Sequence, residues 1–350
     1  MKSTVLKDSL KLGLSVVERV AAKSPSLPIL GNILLSASKN TLELAATDLE
    51  MGVRYRILAK NEKEGSVVLL AKSLSQFVGL LPENQITLSV QDGGLAIASK
   101  EQQTLLKILP SEDFPIIPAF QEGDAFIEVE TQTFFGGMAQ VVGMAGQTQA
   151  RPEISGVFIS FYQQICKLAA TDSFRLAEQT LSFSKAQPTQ TTFILPAKTA
   201  KEIIAVLGEQ QGKTKIYTSP NQVIFDYSPE QPGKPAIQFI SRLIDGEYPQ
   251  YQDIIPKNFV AKLVIEKNAF ANQLRAASIF AGKLNDVKLI VDQKKKGVEL
   301  VSRSPDVGEH HSFVAAQVQG ENIENSFNWR FLLEGVLQMK EDEIELGLSG

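Results

Sequence analysis

The sequence is poor in the residues that most catalytic and metal chemistry needs. It contains one cysteine, Cys166, and only two histidines, the adjacent pair His310 and His311. A single cysteine excludes an intrachain disulfide framework and any multi-cysteine metal cluster. Within the apolar stretch Ile165 to Ala170 it reads as a small buried hydrophobe rather than a nucleophile. The histidines follow Pro305-Asp-Val-Gly308 and stand at the entry to a strand, Ser312–Ala316, where they read as a solvated loop. Neighbours on a strand point to opposite faces, so the pair is poorly placed to share a metal or a substrate. There is no Walker loop, no GxGxxG after a strand, no HExxH and no GxSxG. No cofactor and no metal are expected. Long apolar runs are missing too. None approaches the roughly 20 residues of a membrane span, and Lys7, Asp8 and Lys11 break up the N-terminal segment, so no leader and no membrane association are expected. These absences point to the cytoplasm. Positive charge is not in excess either: 35 Lys and Arg face 39 Asp and Glu, for a net charge of -4. Taken alone, that balance argues against nucleic-acid binding.

What is present is a globular composition, 43% hydrophobic and 21% charged, over 350 residues. That length exceeds one ordinary hydrophobic core, so two or three domains are expected. An internal repeat says which. The pentapeptide Leu-Ala-Ala-Thr-Asp occurs at Leu44–Asp48 and again at Leu168–Asp172. Val68–Lys72 is matched by Phe193–Lys198, and each opens a helical segment, 73–81 and 199–207. Leu109–Pro115 is matched by Leu243–Pro249. Three ordered matches make the first two stretches copies of one domain. The remainder fits a third copy: a helical segment at 267–282, alternating strands, then Phe327-Asn-Trp-Arg330 opening a second helix, and a strand Glu343–Leu348. The expected domains are 1–122, 123–252 and 253–350.

Within a copy, a first helix at Leu6–Lys23 is expected from Leu6, Leu10, Leu14, Val17 and Ala21, spaced by three and four on one face. Strands are short and alternating, and turns are marked at Asp92-Gly93-Gly94, Pro229–Gly233 and Lys296-Gly297. Each domain should hold about two helices packed on antiparallel sheets, an α+β architecture. The repeated Asp48 and Asp172, each following an apolar strand, read as Asx-type turns closing a hairpin. Lys294-Lys-Lys296 reads as an exposed hairpin tip, with DNA contact as the second reading.

Three similar domains in a row suggest a curved array with exposed ends. Two chains joined head to tail would remove those ends, because a heterologous contact makes a ring when its rotation closes. At this point four segments carry a resemblance: Ser26–Leu34, Ala46–Met51, Ala170–Ala177 and Arg242–Pro249 resemble, in order and along essentially the whole chain, the bacterial sliding clamp, the beta subunit of DNA polymerase III. The resemblance implies three tandem DNA-clamp domains, a head-to-tail homodimeric ring around double-stranded DNA, and helices lining the hole. It implies a non-catalytic processivity factor of DNA replication whose partners are the clamp loader, the DNA polymerase III alpha subunit and other clamp-binding-motif proteins.

The charge objection then has an answer, since a clamp needs a basic lining and an acidic exterior. Segment 6–23 carries a net +2 and segment 267–283 a net +3, while Lys72 and Lys198 occupy matching positions. The DNA-facing set implied is Lys7, Lys11, Arg19, Lys23, Lys72, Gln149, Arg151, Lys198, Arg275 and Lys283. Long-range attraction acting over about 8 Å would centre a duplex without holding it in one register. The partner-peptide pocket implied by the motifs is Ile154, Thr171, Ser173, Phe174, Arg175, Leu176, Pro249 and Ile254, with Asp253 where some clamps carry a basic rim residue. The dimer contact implied places Ile279 and Phe280 on the third-copy helix against Thr104 and Leu106 of a strand Thr104–Leu109. Relative to the family pattern, roughly two further strands and an apolar tail would follow Gly350. The expectation is therefore an open sheet edge in the third domain and weaker peptide binding. Two rival readings stand beside this one: a metal-dependent nuclease holding magnesium on Asp48, Asp172 and Asp306, and a β-repeat binding scaffold with no DNA role.

Overall fold

The structure, a computed structural model, describes residues 1–21, 27–98, 103–121, 123–148, 150–183, 190–229 and 234–350. The first copy runs β1 (Lys2–Leu6), α1 (Lys7–Val20), β2 (Asn32–Ser38), β3 (Thr41–Thr47), β4 (Met51–Leu58), β5 (Lys60–Lys63), β6 (Gly65–Leu70), α2 (Ala71–Leu80), β7 (Gln85–Gln91), β8 (Gly94–Ala98) and β9 (Gln103–Lys107). The second runs β10 (Ile127–Glu130), α3 (Thr131–Val142), β11 (Gly156–Tyr162), β12 (Ile165–Thr171), β13 (Leu176–Ser182), β14 (Thr191–Pro196), α4 (Ala197–Leu207), β15 (Lys213–Thr218), β16 (Gln222–Tyr227) and β17 (Ala236–Arg242). The third runs β18 (Ala261–Glu266), α5 (Lys267–Ile279), β19 (Asp286–Asp292), β20 (Gly297–Ser304), β21 (Gly308–Gly320), β22 (Glu324–Asn328), α6 (Trp329–Gln338) and β23 (Glu343–Leu348).

The same hydrogen bond starts all three copies. The first residue of the first helix donates its backbone N–H to the carbonyl just before the strand that follows the second helix. These bonds are Lys7 to Asn84 (2.9 Å), Thr131 to Gly212 (2.9 Å) and Lys267 to Asp342 (2.8 Å). In copies one and three the lysine ammonium adds to this clasp. Lys7 Nζ donates to Leu81 O at 2.9 Å, and Lys267 Nζ lies 3.3 and 3.4 Å from the carbonyls of Met339 and Lys340. Both meet the carbonyl-rich end of the second helix, where a cation is favoured.

Met1–Tyr248 form one compact unit and Pro249–Gly350 another. Copies one and two share a unit because β17 pairs with β4, from Ala236 opposite Arg56 to Ser241 opposite Met51. That pairing makes one eight-stranded sheet, β10-β15-β16-β17-β4-β3-β2-β6, out of half of each copy. The other halves are a five-stranded sheet, β5-β1-β7-β8-β9, and a four-stranded sheet, β13-β12-β11-β14. One continuous apolar core runs through both copies, including Leu10, Leu14, Val53, Phe134, Phe161, Ile203 and Phe239. Helix α1 approaches its sheet closely at Gly13, where a Cβ would come within 2.8 Å of the Tyr55 ring. Arg54 on β4 ties the junction together. It donates to Gln238 Oε1 on β17 at 2.6 Å and to the carbonyls of Ile117 and Pro118 in the connecting segment.

The second unit has its own core, with Phe270, Leu274, Val287, Leu289, Val298 and Leu300 fully buried. Its described strands form a six-stranded order, β22-β19-β20-β21-β18-β23. Strand β23 pairs with β18 alone, whereas its counterparts β7 and β15 are paired on both sides.

Several local expectations shift. Helix α1 begins at Lys7, not Leu6, because Leu6 ends the strand paired with Gln85. Its buried face is Leu10, Gly13, Leu14, Val17 and Val20. Phe327 and Asn328 close β22 instead of opening a helix, and the Asn328 side chain caps α6 by accepting from Arg330 N at 3.0 Å. The strand expected at Thr104–Leu109 is β9, Gln103–Lys107, while Leu109 forms a separate bridge to Val68. His310 and His311 lie inside β21 rather than in a loop. The Asp92-Gly93 turn has positive φ at both residues, 45° and 76°, as a tight hairpin requires. Residues 230–233 of the other marked turn lie outside the described residues.

Candidate nucleic-acid and partner interfaces

The repeated Thr-Asp pair builds the same turn twice. In copy one, Asp48 Oδ1 accepts from the N–H groups of Glu50 (3.1 Å) and Met51 (2.8 Å), and Thr47 Oγ1 donates to Met51 O and accepts from Leu49 N. In copy two, Asp172 Oδ1 accepts from Phe174 and Arg175 at 3.0 Å each, and Thr171 Oγ1 donates to Arg175 O and accepts from Ser173 N. The third residue is left-handed in both, Leu49 at φ 75° and Ser173 at φ 77°. Each aspartate therefore serves its own backbone, an Asx turn as expected from the sequence. The second oxygens are occupied as well: Asp48 Oδ2 meets Lys198 Nζ at 2.6 Å, and Asp172 Oδ2 meets Arg175 Nε at 3.0 Å. Carboxylates committed in this way are poor magnesium ligands, and no group of three potential ligands converges among the described residues.

The first-unit members of the implied peptide pocket gather around the second turn. Ile154 is buried, and its carbonyl, like that of Thr171, accepts from Gly146 N. Phe174 projects outward, 83% exposed. Arg151, implied to face DNA, reaches this turn, with its Nη1 3.1 Å from Ser173 Oγ and its Nε on Glu153 at 3.0 Å. Tyr248 was not singled out from sequence. It stacks on Phe158 at 4.9 Å, and burial pushes its hydroxyl up to about 12. In the second unit, Pro249 is half-buried and Ile254 is 74% exposed on a short 3-10 turn, Tyr251–Ile254. Asp253 is exposed beside it. Cys166 is fully buried on β12, and desolvation raises its thiol far above the ordinary range, so it is a packing residue.

The implied DNA-facing cations fall into two groups. Lys11 and Arg19 lie on the exposed face of α1 with Asp8 and Ser15. Lys198 is exposed at the start of α4, and Arg19 crosses from copy one to Glu202 on α4 at 3.2 Å, so the two helices present one continuous surface. Lys201, one turn after Lys198, is exposed on the same helix. It was not singled out from sequence, although its spacing of three from Lys198 was visible. Lys72, Arg275 and Lys283 are exposed, and Arg275 Nη1 donates to Asn272 Oδ1. Lys7 is the exception, engaged in the clasp described above. Helix α3 carries no charged residue at all. Lys23 and Gln149 lie outside the described residues.

Of the implied dimer residues, Thr104 and Leu106 sit on β9, the edge strand of the five-stranded sheet, opposite Ile97 and Leu95 of β8. Ile279 is 66% exposed at the end of α5, and Phe280 stacks on His310 at 5.4 Å. His311 points to the other face, between Glu299 and Glu309 at 2.8 Å each. The tip Lys294–Lys296 is exposed, with Asp292 Oδ1 accepting from Lys294 and Lys295 N–H groups.

Three consecutive family profiles match the chain: the DNA polymerase III beta subunit N-terminal domain over residues 1–118, the central domain over 128–250 and the C-terminal domain over 252–350. The chain belongs to the DNA polymerase III beta subunit family. A beta sliding clamp of Synechococcus elongatus is 26% identical over 357 residues, spanning 100% of this chain and 93% of that relative. The crystal structure of the Bacillus subtilis sliding clamp matches with a TM-score of 0.92 at 26% identity, over 100% of this chain and 93% of that one. The Thermotoga maritima beta subunit matches with a TM-score of 0.88 at 26% identity, over 99% and 92%. The chain accordingly has the clamp fold of three tandem domains, and it is a DNA sliding clamp of the polymerase III system, a processivity factor and not an enzyme. No described helix is long and apolar enough to cross a membrane.

Proposed function

We propose that two copies of this chain close head to tail into a ring around duplex DNA in the cytoplasm and tether the replicative polymerase to it. The domains in this reading are 1–122, 123–252 and 253–350. The observation that carries it is the continuous surface of α1 and α4, where Lys11, Arg19, Lys198 and Lys201 from two different copies lie together on exposed helix faces. An overall charge of -4 is compatible with DNA only if cations are segregated in this way. Lys72 adds a further exposed cation in the first unit, and Arg275 and Lys283 are the corresponding exposed cations of the second, whereas Lys7 acts mainly within its own domain. Several of these cations share their charge with acids, as Arg19 does with Glu202. That weakens each phosphate contact and suits a ring that slides.

Ring closure in this reading joins β9, through Thr104 and Leu106, to the end of α5 at Ile279 and Phe280 of the next copy. The clamp loader, the polymerase III alpha subunit and other clamp-binding-motif proteins would dock a short peptide on Ile154, Thr171, Ser173, Phe174, Arg175 and Leu176 of the first unit. Apolar walls with a few orienting polar groups suit that role.

The test is retention. The chain is loaded onto nicked circular DNA with a clamp loader and washed in high salt, and the circle is then cut. A topological ring stays on the circle and leaves the linear product. Equal loss from both templates would remove the encirclement claim. Phe280→Asp should shift the mass measured by light scattering from dimer to monomer.

A further inference from the structure

The segment joining copies one and two packs against the eight-stranded sheet at the junction. Phe114 and Ile117 are buried there with Ala45, Val68, Ile224 and Ile240. Arg54 pins the segment by its bonds to the carbonyls of Ile117 and Pro118, so the wall it forms is held in place. Beside it opens a cleft with a cavity volume of about 560 Å³. Its floor is Met51, Ile117 and Ile240, all buried, and its rim carries Ile116, 96% exposed. Polar groups stand at its edge: Glu50, Asp245 and Arg242. Gln222 is shared with a smaller neighbouring cavity of about 270 Å³.

Ligand sites usually combine an apolar floor with a few polar groups in a volume of roughly 300–1,000 Å³. The charge at this one is lopsided. Two carboxylates, Glu50 and Asp245, stand against one guanidinium, Arg242, and neither carboxylate makes an ion pair among the described residues. The equivalent turn of copy two is different, since its charges are paired, Arg151 with Glu153 and Arg175 with Asp172. The repeated turn thus keeps its backbone while only its first occurrence carries unpaired carboxylates beside it.

We propose that this cleft binds an extended basic peptide, with an apolar side chain on the Met51–Ile117–Ile240 floor and a neighbouring lysine or arginine against Glu50 and Asp245. The site lies within one unit and is separate from the docking residues around Phe174. It does not depend on ring closure or on DNA.

The test uses the full chain with methyl-labelled isoleucine and methionine, followed by NMR. The probe is an acetylated pentapeptide alternating lysine or arginine with leucine, and its control has glutamate in place of the cations. The basic peptide should move the methyl signals of Met51, Ile116, Ile117 and Ile240 saturably, and the acidic one should not. The double variant Glu50→Lys, Asp245→Lys should bind the basic peptide about tenfold more weakly or worse. Both side chains are exposed, so the fold should survive, and the single variant Asp245→Asn should act in the same direction to a smaller extent. No movement of those methyls at about millimolar peptide, equal movement with the acidic peptide, or unchanged affinity in the double variant would each overturn the site. Retention on circular DNA reads a different property, so either result stands without the other.

Discussion

The second helices of copies two and three make an instructive pair. Both α4 and α6 follow a strand, begin with a cation at their second residue, and show a helical apolar pattern. Yet α4 buries Thr199, Ala200, Ile203 and Leu207, whereas α6 buries only Val336, leaving Trp329, Leu332 and Leu333 half-buried. The strand after α4 is paired on both sides and the strand after α6 on one. A helix buries its apolar stripe only where there is sheet to receive it. The same pattern therefore gives a sealed interface in one unit and a looser one in the other. In the looser one, Trp329 Nε1 and Asn325 Oδ1 are shielded from solvent with no hydrogen-bond partner among the described residues. Each such group costs about 1–3 kcal/mol.

The largest effect that tests this contrast is a pair of core truncations. Ile203→Ala on α4 should cost about 2–4 kcal/mol, and Leu333→Ala on α6 about half as much, because a half-buried side chain has less transfer energy to lose and leaves less of a cavity. Urea unfolding of each variant, followed separately for the two units, measures this. Equal costs would break the comparison.

A second, smaller contrast concerns the hairpin turns. In the first unit the turn between β3 and β4 is closed by Asp48, and in the second unit the turn between β20 and β21 lacks the Thr-Asp pair. Asp48→Ala should cost about 1–2 kcal/mol through its two backbone acceptor bonds, with little added by its link to the mostly exposed Lys198. Asp306→Ala should fall within measurement error. Thermal melts of the two variants sharpen the distinction between a turn built by its own side chains and one held by its strands.

The smallest effect is a pH dependence confined to the second unit. When protonated, His311 donates to both Glu299 and Glu309, and Arg303 also binds Glu309 at 2.7 Å. Hydrogen bonds to the two carboxylates, Glu299 first, raise the His311 pKa above its ordinary value, and Arg303 followed by His311 lowers that of Glu309. A raised histidine pKa contributes stability that is fully present below the unfolded value and lost as pH rises through the folded one. A lowered carboxylate pKa contributes stability present above the unfolded value and lost as pH falls through the folded one. Amide exchange in β20 and β21 should therefore be slowest between those limits and quicken on either side, while β3 and β4 show no such window. Replacing His311 with Gln should flatten the alkaline side. An unchanged profile in that variant would rule out His311 as its source.

Much of the local architecture was legible in the residues themselves. Leu-Ala-Ala-Thr-Asp marks a strand and its closing turn at both sites, since the bonds that make the turn join residues no more than four apart. Helix α1 was readable from spacing, and α2, α4 and α5 from their places in the repeat. Helix α3 was not located, because Thr-Gln-Thr-Phe-Phe-Gly-Gly has no charged face to set off its apolar one and its two glycines weaken helix propensity. Placing the histidines in a loop failed because β21, at 13 residues, runs on beyond the segment whose alternation was visible. Of the cations implied to face DNA, Lys11, Arg19, Lys72, Lys198, Arg275 and Lys283 are exposed. Spacing alone could not foresee that the ammonium of Lys7 closes on Leu81, 74 residues away.

The sequence by itself determined that one domain occurs three times, with what local turns and with which helix faces apolar. These depend on bonds and spacings within a few residues, where each side chain meets its own backbone or its own helix. Only the tertiary structure decided that β17 would pair with β4 to merge two copies into one unit, that the joining segment would leave a cleft beside it, and that Arg151 would turn to Ser173. Those outcomes depend on the register of strands far apart in the chain, and register is fixed by the packing of whole faces rather than by any neighbour in sequence.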